Sequence, residues 1–238
     1  MVKPYENNES KKKQVEQMFD NIAPKYDFLN HFLSLGIDKI WRKKAIRFLK
    51  QFQPKRMLDV ASGTGDFAIA AAKLNPARID AIDLSENMLE IAKKKIQKKG
   101  LNNLIYTRIA DAESIPYENE TFDAITVAFG VRNFEDLKMG LSEMNRVLNK
   151  EAVAVIIEFS MPENFLVKGF YNFYFSYILP FWGRIISKDK FAYTYLPQSV
   201  KAFPERHGFI KIMEDCGYKN CSFKTLSLGI ACLYIGYK

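Results

Sequence analysis

Histidine and cysteine are scarce in these 238 residues, at two and three. His31 and His207 lie far apart, and Cys216, Cys221 and Cys232 lack Cys-x-x-Cys spacing. Neither a zinc site nor a disulfide framework is indicated, so no metal is expected and a reducing, cytoplasmic setting is the expectation. No apolar run approaches the ~20 residues that cross a bilayer. Met1 to Lys13 is polar and lysine-rich, without the apolar centre of a signal peptide. Internal repeats and low-complexity tracts are also missing. Acid is in deficit: 35 Lys and Arg against 27 Asp and Glu give a net charge of +8. That balance favours anionic partners such as nucleic acid, anionic lipid or an anionic small molecule. The chain has no interleaved basic–aromatic recognition motif, so no nucleic-acid partner is expected.

What is plentiful is aromatic: 19 Phe and 12 Tyr, many between Phe159 and Phe203. The length suits one large α/β domain with an insertion. Apolar spacing predicts a helix from Lys11 to Ile22, with Val15, Met18, Phe19 and Ile22 on one face, and a second over Ile37–Phe52 before Pro54. Strands and helices then alternate. Strands are expected at Arg56–Ala61, Arg78–Asp83, Leu104–Ile109, Phe122–Phe129 and Ala152–Phe159, and helices at Phe67–Leu74, Glu86–Lys98 and Leu137–Leu148. Such alternation predicts a mostly parallel sheet covered on both faces. Ser85 is placed to cap the helix it precedes, and Gly100 to end it. An aromatic insert follows, then a helix over Glu205–Cys216 and two runs joined by Ser227-Leu228-Gly229, read as an antiparallel hairpin. Residues 1–53 read as a helical cap, 54–159 as a cofactor-binding core, 160–204 as a substrate or lid insert and 205–238 as the closing helix and hairpin.

One stretch concentrates the chemistry: Met57-Leu58-Asp59-Val60-Ala61-Ser62-Gly63-Thr64-Gly65-Asp66. An apolar strand runs into a glycine turn and opens a helix, which brings bare backbone N–H groups to a nucleoside ligand. Acids follow at successive strand ends, Asp59, Asp83 and Asp111, where a doubly wound sheet binds its ligand. A carboxylate after the second strand can take both ribose hydroxyls, since it offers two acceptor oxygens. Asp111 can accept from an adenine amino group with the Ala112 N–H at the ring edge, and Asp59 can hold the far end through the turn. Gly63-x-Gly65-x-x-Ala68 also satisfies a loose dinucleotide fingerprint, so NAD stays open on the turn alone. The acid after the third strand and the terminal hairpin weigh against it.

The Asp-x-x-x-Gly-x-Gly spacing resembles motif I of the class I S-adenosylmethionine-dependent methyltransferases. More specifically, the chain resembles the ubiquinone/menaquinone biosynthesis C-methyltransferases (UbiE/MenG) from about Val15 to its end. Phe19-Asp20-x-Ile22-Ala23-x-x-Tyr26-Asp27-x-x-Asn30, with Leu33-Ser34-x-Gly36 and Trp41, is similar to that family's N-terminal signature. Phe129-Gly130-Val131-Arg132-Asn133, Glu158-Phe159-Ser160, Tyr195-Leu196-Pro197-x-Ser199 and Phe203-Pro204 match further family segments. Three departures stand out: Asp38 where a His is usual, Asn149-Lys150-Glu151-Ala152 in place of a Pro-Gly-Gly turn, and Ala128 where some relatives carry Ser.

The resemblance implies a Rossmann-like, mostly parallel seven-stranded sheet with an antiparallel C-terminal strand. It implies S-adenosyl-L-methionine as cofactor, bound by Asp59, Ala61, Gly63, Thr64, Gly65, Asp83, Asp111, Ala112 and Ala128. The implied reaction is C-methylation of a prenylated quinol, demethylmenaquinol before the ubiquinone-pathway benzoquinol. Tyr26, Asp66, Arg132 and Asn133 are the implied acceptor-side residues, with Arg132 as the cation for a phenolate, Asn133 for the second oxygen, Asp66 to orient Arg132 or relay a proton, and Tyr26 to close over the ring. Three rivals remain: methyl transfer to RNA, a nicotinamide-dependent oxidoreductase, and a cofactor-binding regulator without turnover.

Phe165 to Trp182 reads either as buried core or as a surface toward a prenyl tail and membrane. Lys11–Lys13, Lys168, Arg184, Lys188 and Lys190 are expected to face anionic lipid in a peripheral contact, and Lys93–Lys95 to form a solvated helix face. Monomer and homodimer are both open.

Overall fold

The computed structural model describes residues 2–34, 36–174, 178 and 191–238, without the side chains of 28–33, 172 and 193. Much of the aromatic run beyond Tyr174, including Phe175, Tyr177, Leu179, Phe181 and Trp182, lies outside the described residues, as do Arg184, Lys188 and Lys190. In chain order the helices are α1 (Lys11–Leu33), α2 (Ile37–Leu49), α3 (Asp66–Ala71), α4 (Glu86–Lys98), α5 (Leu137–Val147), α6 (Phe165–Phe173), α7 (Ala192–Ala202) and α8 (His207–Asp215). The strands are β1 (Arg56–Val60), β2 (Arg78–Asp83), β3 (Ile105–Ile109), β4 (Phe122–Ala128), β5 (Leu148–Phe159), β6 (Lys219–Leu226) and β7 (Ala231–Tyr237).

These strands form one seven-stranded sheet in the order β3-β2-β1-β4-β5-β7-β6. Strands β1 to β5 pair in parallel, and β7 runs antiparallel to both β5 and β6. This is the class I methyltransferase architecture that the sequence implies. Strand order reverses between β1 and β4, so their carboxyl ends open a crevice. The central strands are apolar on both faces because helices cover both. Met57, Ile79, Ala124 and Val155 pack with α2, α3 and α4, while Leu58, Ile125, Ile156 and Tyr234 pack with α5 and α8. A separate apolar cluster joins Val15, Met18 and Ile22 of α1 to Met88, Tyr171 and Tyr195, so the N-terminal helix rests on α4 and on the insert.

Two boundaries differ from the sequence expectation. Helix α1 continues through Pro24 to Leu33 rather than ending near Ile22. Proline removes the N–H that would bond the carbonyl of Asp20, and the Asn87 side chain donates to that carbonyl instead, at 3.4 Å. Strand β5 begins at Leu148, not Ala152, because Asn149-Lys150-Glu151-Ala152 lies inside it. Pairing jumps from Phe122–Leu148 to Ala124–Val153, and Glu151 carries a φ of 61°. The departure from Pro-Gly-Gly is thus resolved as a bulge within the strand.

Candidate functional site

The carboxyl ends of β1 to β4 form one wall of a cleft of about 720 Å³, measured out to its mouth, and α1 forms the other. Ala61, Gly63, Asp83, Asp111, Ala112 and Ala128 line it from the sheet, with Asn133 beyond β4. Lys12, Val15, Phe19 and Tyr26 line it from α1. Six of the nine residues expected to hold the cofactor therefore line one cavity. Asp59, Thr64 and Gly65 are not among its lining residues and act from behind the wall.

Each of those three fastens the glycine turn. Asp59, 1% exposed, accepts from the Ala68 N–H at 3.0 Å and from the Thr126 hydroxyl at 2.7 Å. It ties β1 to the first turn of α3 and to β4. Burial pushes its carboxyl up to about 7, against those two hydrogen bonds, which lower it. Thr64 donates to Asp27 at 2.5 Å, and Lys95 donates to Thr64 at 3.1 Å. Gly65 has a φ of +79°, and a Cβ there would meet Ala92 of α4 at 3.2 Å. Glycine serves both the backbone hand and the close approach. Gly130 is tighter still: its Cβ would stand 2.5 Å from that of Ala61, which joins the loops after β1 and β4 closely.

The lining residues suit an adenosyl group. Asp83 accepts from the Gly63 N–H at 2.7 Å through one oxygen and from the Ser85 N–H at 2.9 Å through the other. Each oxygen keeps a second lone pair, so two vicinal hydroxyls can be taken as well. Burial raises the Asp83 pKa, and the Ser85 and Gly63 amides oppose that rise. A Cβ on Gly63 would meet nothing within 4 Å, so its backbone faces open space in the cleft. Asp111 turns one oxygen to the Glu113 N–H at 2.9 Å and the other to Lys12 at 2.6 Å.

Lys12 therefore lines the cleft, and Lys11 is buried rather than turned out toward lipid. Lys11 is buried and donates to the carbonyls of Arg132 at 2.9 Å and Phe134 at 2.6 Å. Burial, then the Arg132 charge, lowers its pKa to about 8. Lys12 pairs with Asp111 and, at 2.9 Å, with Glu113. Burial works against its charge, but the two carboxylates outweigh it and its pKa rises. The first turn of α1 is pinned to the loops after β3 and β4. Lys13 alone of the three stays outward, paired with Glu9 at 3.0 Å.

On the far side of the cleft the acceptor-side residues separate into two groups. Asp66 pairs with Lys95 at 2.5 Å, and Lys95 also reaches Asp27 at 2.7 Å. Lys95 thus belongs to a network under the glycine turn, rather than to a solvated face, while Lys93 and Lys94 are exposed. Arg132 takes its carboxylate from Glu158: the guanidinium donates at 2.8 Å and the main-chain N–H at 3.3 Å. The same guanidinium also donates to the Phe129 carbonyl and lies 5.5 Å over the Phe159 ring. Asn133 donates to Phe129 at 3.3 Å and accepts from the Tyr195 hydroxyl at 3.2 Å. Arg132 and Asp66 do not line the cleft; Tyr26 and Asn133 do.

Three phenols feel the Arg132 charge: Tyr26 of α1, Tyr171 of α6 and Tyr195 of α7. Burial pushes Tyr26 and Tyr195 up to about 12 and raises Tyr171 as well, so all three remain proton donors at neutral pH. Arg132 keeps its side chain 8% exposed, and its Nε–H is buried without a hydrogen-bond partner among the described residues. An orphan of that kind costs about 1–3 kcal/mol when nothing meets it. Lys12, Glu113 and Lys95 escaped the sequence reading because their partners lie far along the chain. Glu158 and Tyr195 stood inside family segments, the available signal, yet drew no role. Among the described residues no group of three or more His, Cys, Asp or Glu is placed to hold a metal.

Residues 7–238 match the model of the ubiE/COQ5 methyltransferase family. The chain belongs to that family. The chain is 48% identical to the demethylmenaquinone methyltransferase of Bacteroides fragilis over 238 residues, covering 100% of this chain and 97% of that protein. It is 43% identical to the ubiquinone/menaquinone biosynthesis C-methyltransferase UbiE of Geotalea uraniireducens over 230 residues, 96% of this chain and 97% of the other. A SAM-dependent methyltransferase from Aquifex aeolicus shares the fold, with a TM-score of 0.57 at 22% identity over 80% of this chain and 87% of its own. This methyltransferase uses S-adenosylmethionine, and the dinucleotide reading of its glycine turn falls away.

Proposed function

We propose that the methyltransferase C-methylates a prenylated quinol, demethylmenaquinol, to give menaquinol. The observation that carries the reading is the buried guanidinium of Arg132, next to Asn133, which lines the cofactor cleft with Tyr26 and accepts from the Tyr195 hydroxyl. Full-length identity to a protein named demethylmenaquinone methyltransferase supports the choice of naphthoquinol. The relative named for both quinone pathways keeps the benzoquinol as the second reading.

S-adenosylmethionine supplies an electrophilic methyl group on a sulfonium. Asp83, Asp111 with the Ala112 N–H, and the Gly63 backbone hold its adenosyl portion from the sheet side. Asp59, Thr64 and Gly65 keep that wall in place. A quinol carbon becomes nucleophilic when the adjacent hydroxyl, ordinarily of pKa near ~10, gives up its proton to solvent water, and after methylation that carbon loses its own hydrogen as a proton so that the aromatic quinol is restored. Arg132 stabilises the phenolate by charge and hydrogen bonding, and Asn133 fixes the second oxygen. Tyr26 closes over the ring from α1. Asp66 acts by holding Lys95 beneath the glycine turn.

The outer face of α6 completes the proposal. Phe165, Leu166, Phe170 and Phe173 are 85%, 78%, 70% and 54% exposed, while Tyr171 turns inward. A membrane surface suits this face, and the acceptor's tail resides there. No helix among the described residues is long and apolar enough to cross a membrane. Turnover with reduced demethylmenaquinone and with its benzoquinol counterpart tests the substrate. The naphthoquinol is the faster acceptor, and Arg132→Met lowers kcat by ~10²–10³ with cofactor binding intact. Equal turnover of the variant, or preference for the benzoquinol, contradicts the reading.

A further inference from the structure

Glu158, next to last in β5, is completely buried, and every contact of its carboxylate converges on one place. One oxygen accepts from the Arg132 guanidinium at 2.8 Å and from its own neighbour's N–H, Phe159, at 2.9 Å. The other accepts from the Arg132 main-chain N–H at 3.3 Å. Arg132 is thus gripped at both ends, backbone and side chain, by one acid. Among the described residues, Tyr26 and Lys11 of α1, Tyr171 of α6 and Tyr195 of α7 feel the Arg132 charge, and Glu158 is the acid paired with it. The grip uses one terminal nitrogen and leaves the buried Nε–H unpartnered.

We propose that Glu158 is the positioning residue of the acceptor site, fixing the Arg132 guanidinium beside Asn133 so that it can meet the acceptor oxygen. Glu158 is 0% exposed and turns both carboxylate oxygens to Arg132 and the Phe159 N–H, so it acts through Arg132 and not on the acceptor itself. A buried cation without its counter-charge would turn toward other acceptors or draw in water. The carboxylate thereby sets both the direction of the guanidinium and the charge balance around it. This inference rests on the reading of Arg132 as the cation for a quinol phenolate.

Methyl transfer to reduced demethylmenaquinone is measured from about pH 6 to the ordinary phenol pKa of ~10 for the wild type, Glu158→Gln, Arg132→Met and the double variant. Cofactor affinity by calorimetry accompanies each. Glu158→Gln is expected to lower kcat roughly 10- to 100-fold at neutral pH, less than loss of a direct oxyanion donor, with cofactor affinity unchanged. Activity returns as the pH rises, because an acceptor that ionises unaided no longer needs an aligned guanidinium. In the Arg132→Met background the same change moves neither kcat nor the pH profile by more than about twofold, the mark of action through one partner. Full activity of Glu158→Gln, a loss equal at every pH, or a further loss in the Arg132→Met background would overturn the inference. Should Glu158→Gln fail to fold, Glu158→Asp keeps the charge and withdraws it by one methylene. Its kcat then falls between wild type and Arg132→Met, and wild-type turnover in Glu158→Asp contradicts the inference. Wild-type protein that binds cofactor but methylates no quinol refutes the functional reading itself, and this inference with it.

Discussion

Asp59 is a carboxylate that water hardly reaches, and its chemistry follows from that. Its pKa stands at about 7, above the ordinary carboxylate value near 4, because burial disfavours the charge. The folded protein therefore holds this proton more tightly than the unfolded chain does. The stability it contributes is complete below pH ~4 and is lost as the pH rises toward 7, with a slope of at most ~1.4 kcal/mol per pH unit. Asp59→Asn removes the titration and keeps both contacts, since the amide oxygen can accept from Ala68 and the Thr126 hydroxyl can accept from the amide nitrogen. Denaturant unfolding of both proteins from pH 4 to 7 should show the wild type losing ground to the variant. A difference that does not change with pH would contradict the assignment. At this scale the sequence was legible where a placement is local: Asp83 beside the glycine turn, Asn133 beside the cleft. It was silent where a partner comes from another element. Asp66 was expected beside Arg132, but Lys95, from α4, and Glu158, from β5, take up the two charges separately.

At the scale of elements, α4 was readable from end to end, because Ser85 caps it and the Schellman-type stop at Gly100 ends it. What the sequence did not disclose is that Ser85 has two tasks. Its hydroxyl accepts from the Met88 N–H at 3.1 Å and donates to Asp20 of α1 at 2.5 Å. The cap of α4 is also the seat of the helix that walls the cleft. Ser85→Ala should cost about 1–2 kcal/mol, somewhat more than the ~1 typical of an N-cap, and lower Tm by ~2–4 °C per kcal/mol. An unchanged melting temperature would show that Asp20 finds an equivalent partner. The extension of α1 past Pro24 was hidden for a related reason: the compensating donor, Asn87, sits on α4. The early start of β5 was hidden because a bulge with a left-handed Glu151 lacks the glycine that would announce it.

At the scale of the molecule, the alternation of strands and helices made the parallel sheet legible, and the terminal pair made its antiparallel close legible. The aromatic insert was harder, because composition does not separate core from surface. The described part does both: Tyr171 and Tyr195 turn in toward Arg132, and α6 turns Phe165, Leu166, Phe170 and Phe173 out. Flotation with anionic liposomes tests that outer face. Combined Phe165→Ser, Leu166→Ser and Phe170→Ser should reduce the floated fraction at least about fivefold, as each buried apolar side chain contributes ~1.5–3 kcal/mol. Turnover of a short-tailed quinol should be unchanged. Equal flotation of the two proteins would remove this face from the membrane contact.

The central claim is that α1, the strand ends and the insert together bring a sulfonium methyl to a quinol carbon. The most direct measurement is the site of the label after reaction of methyl-labelled S-adenosylmethionine with reduced demethylmenaquinone. The account predicts the label on the ring carbon, giving menaquinol, and no transfer to the oxidised quinone, which lacks an ionisable hydroxyl. Label recovered as an oxygen-bound methyl ether, or no transfer to the quinol by protein that binds the cofactor, would contradict it.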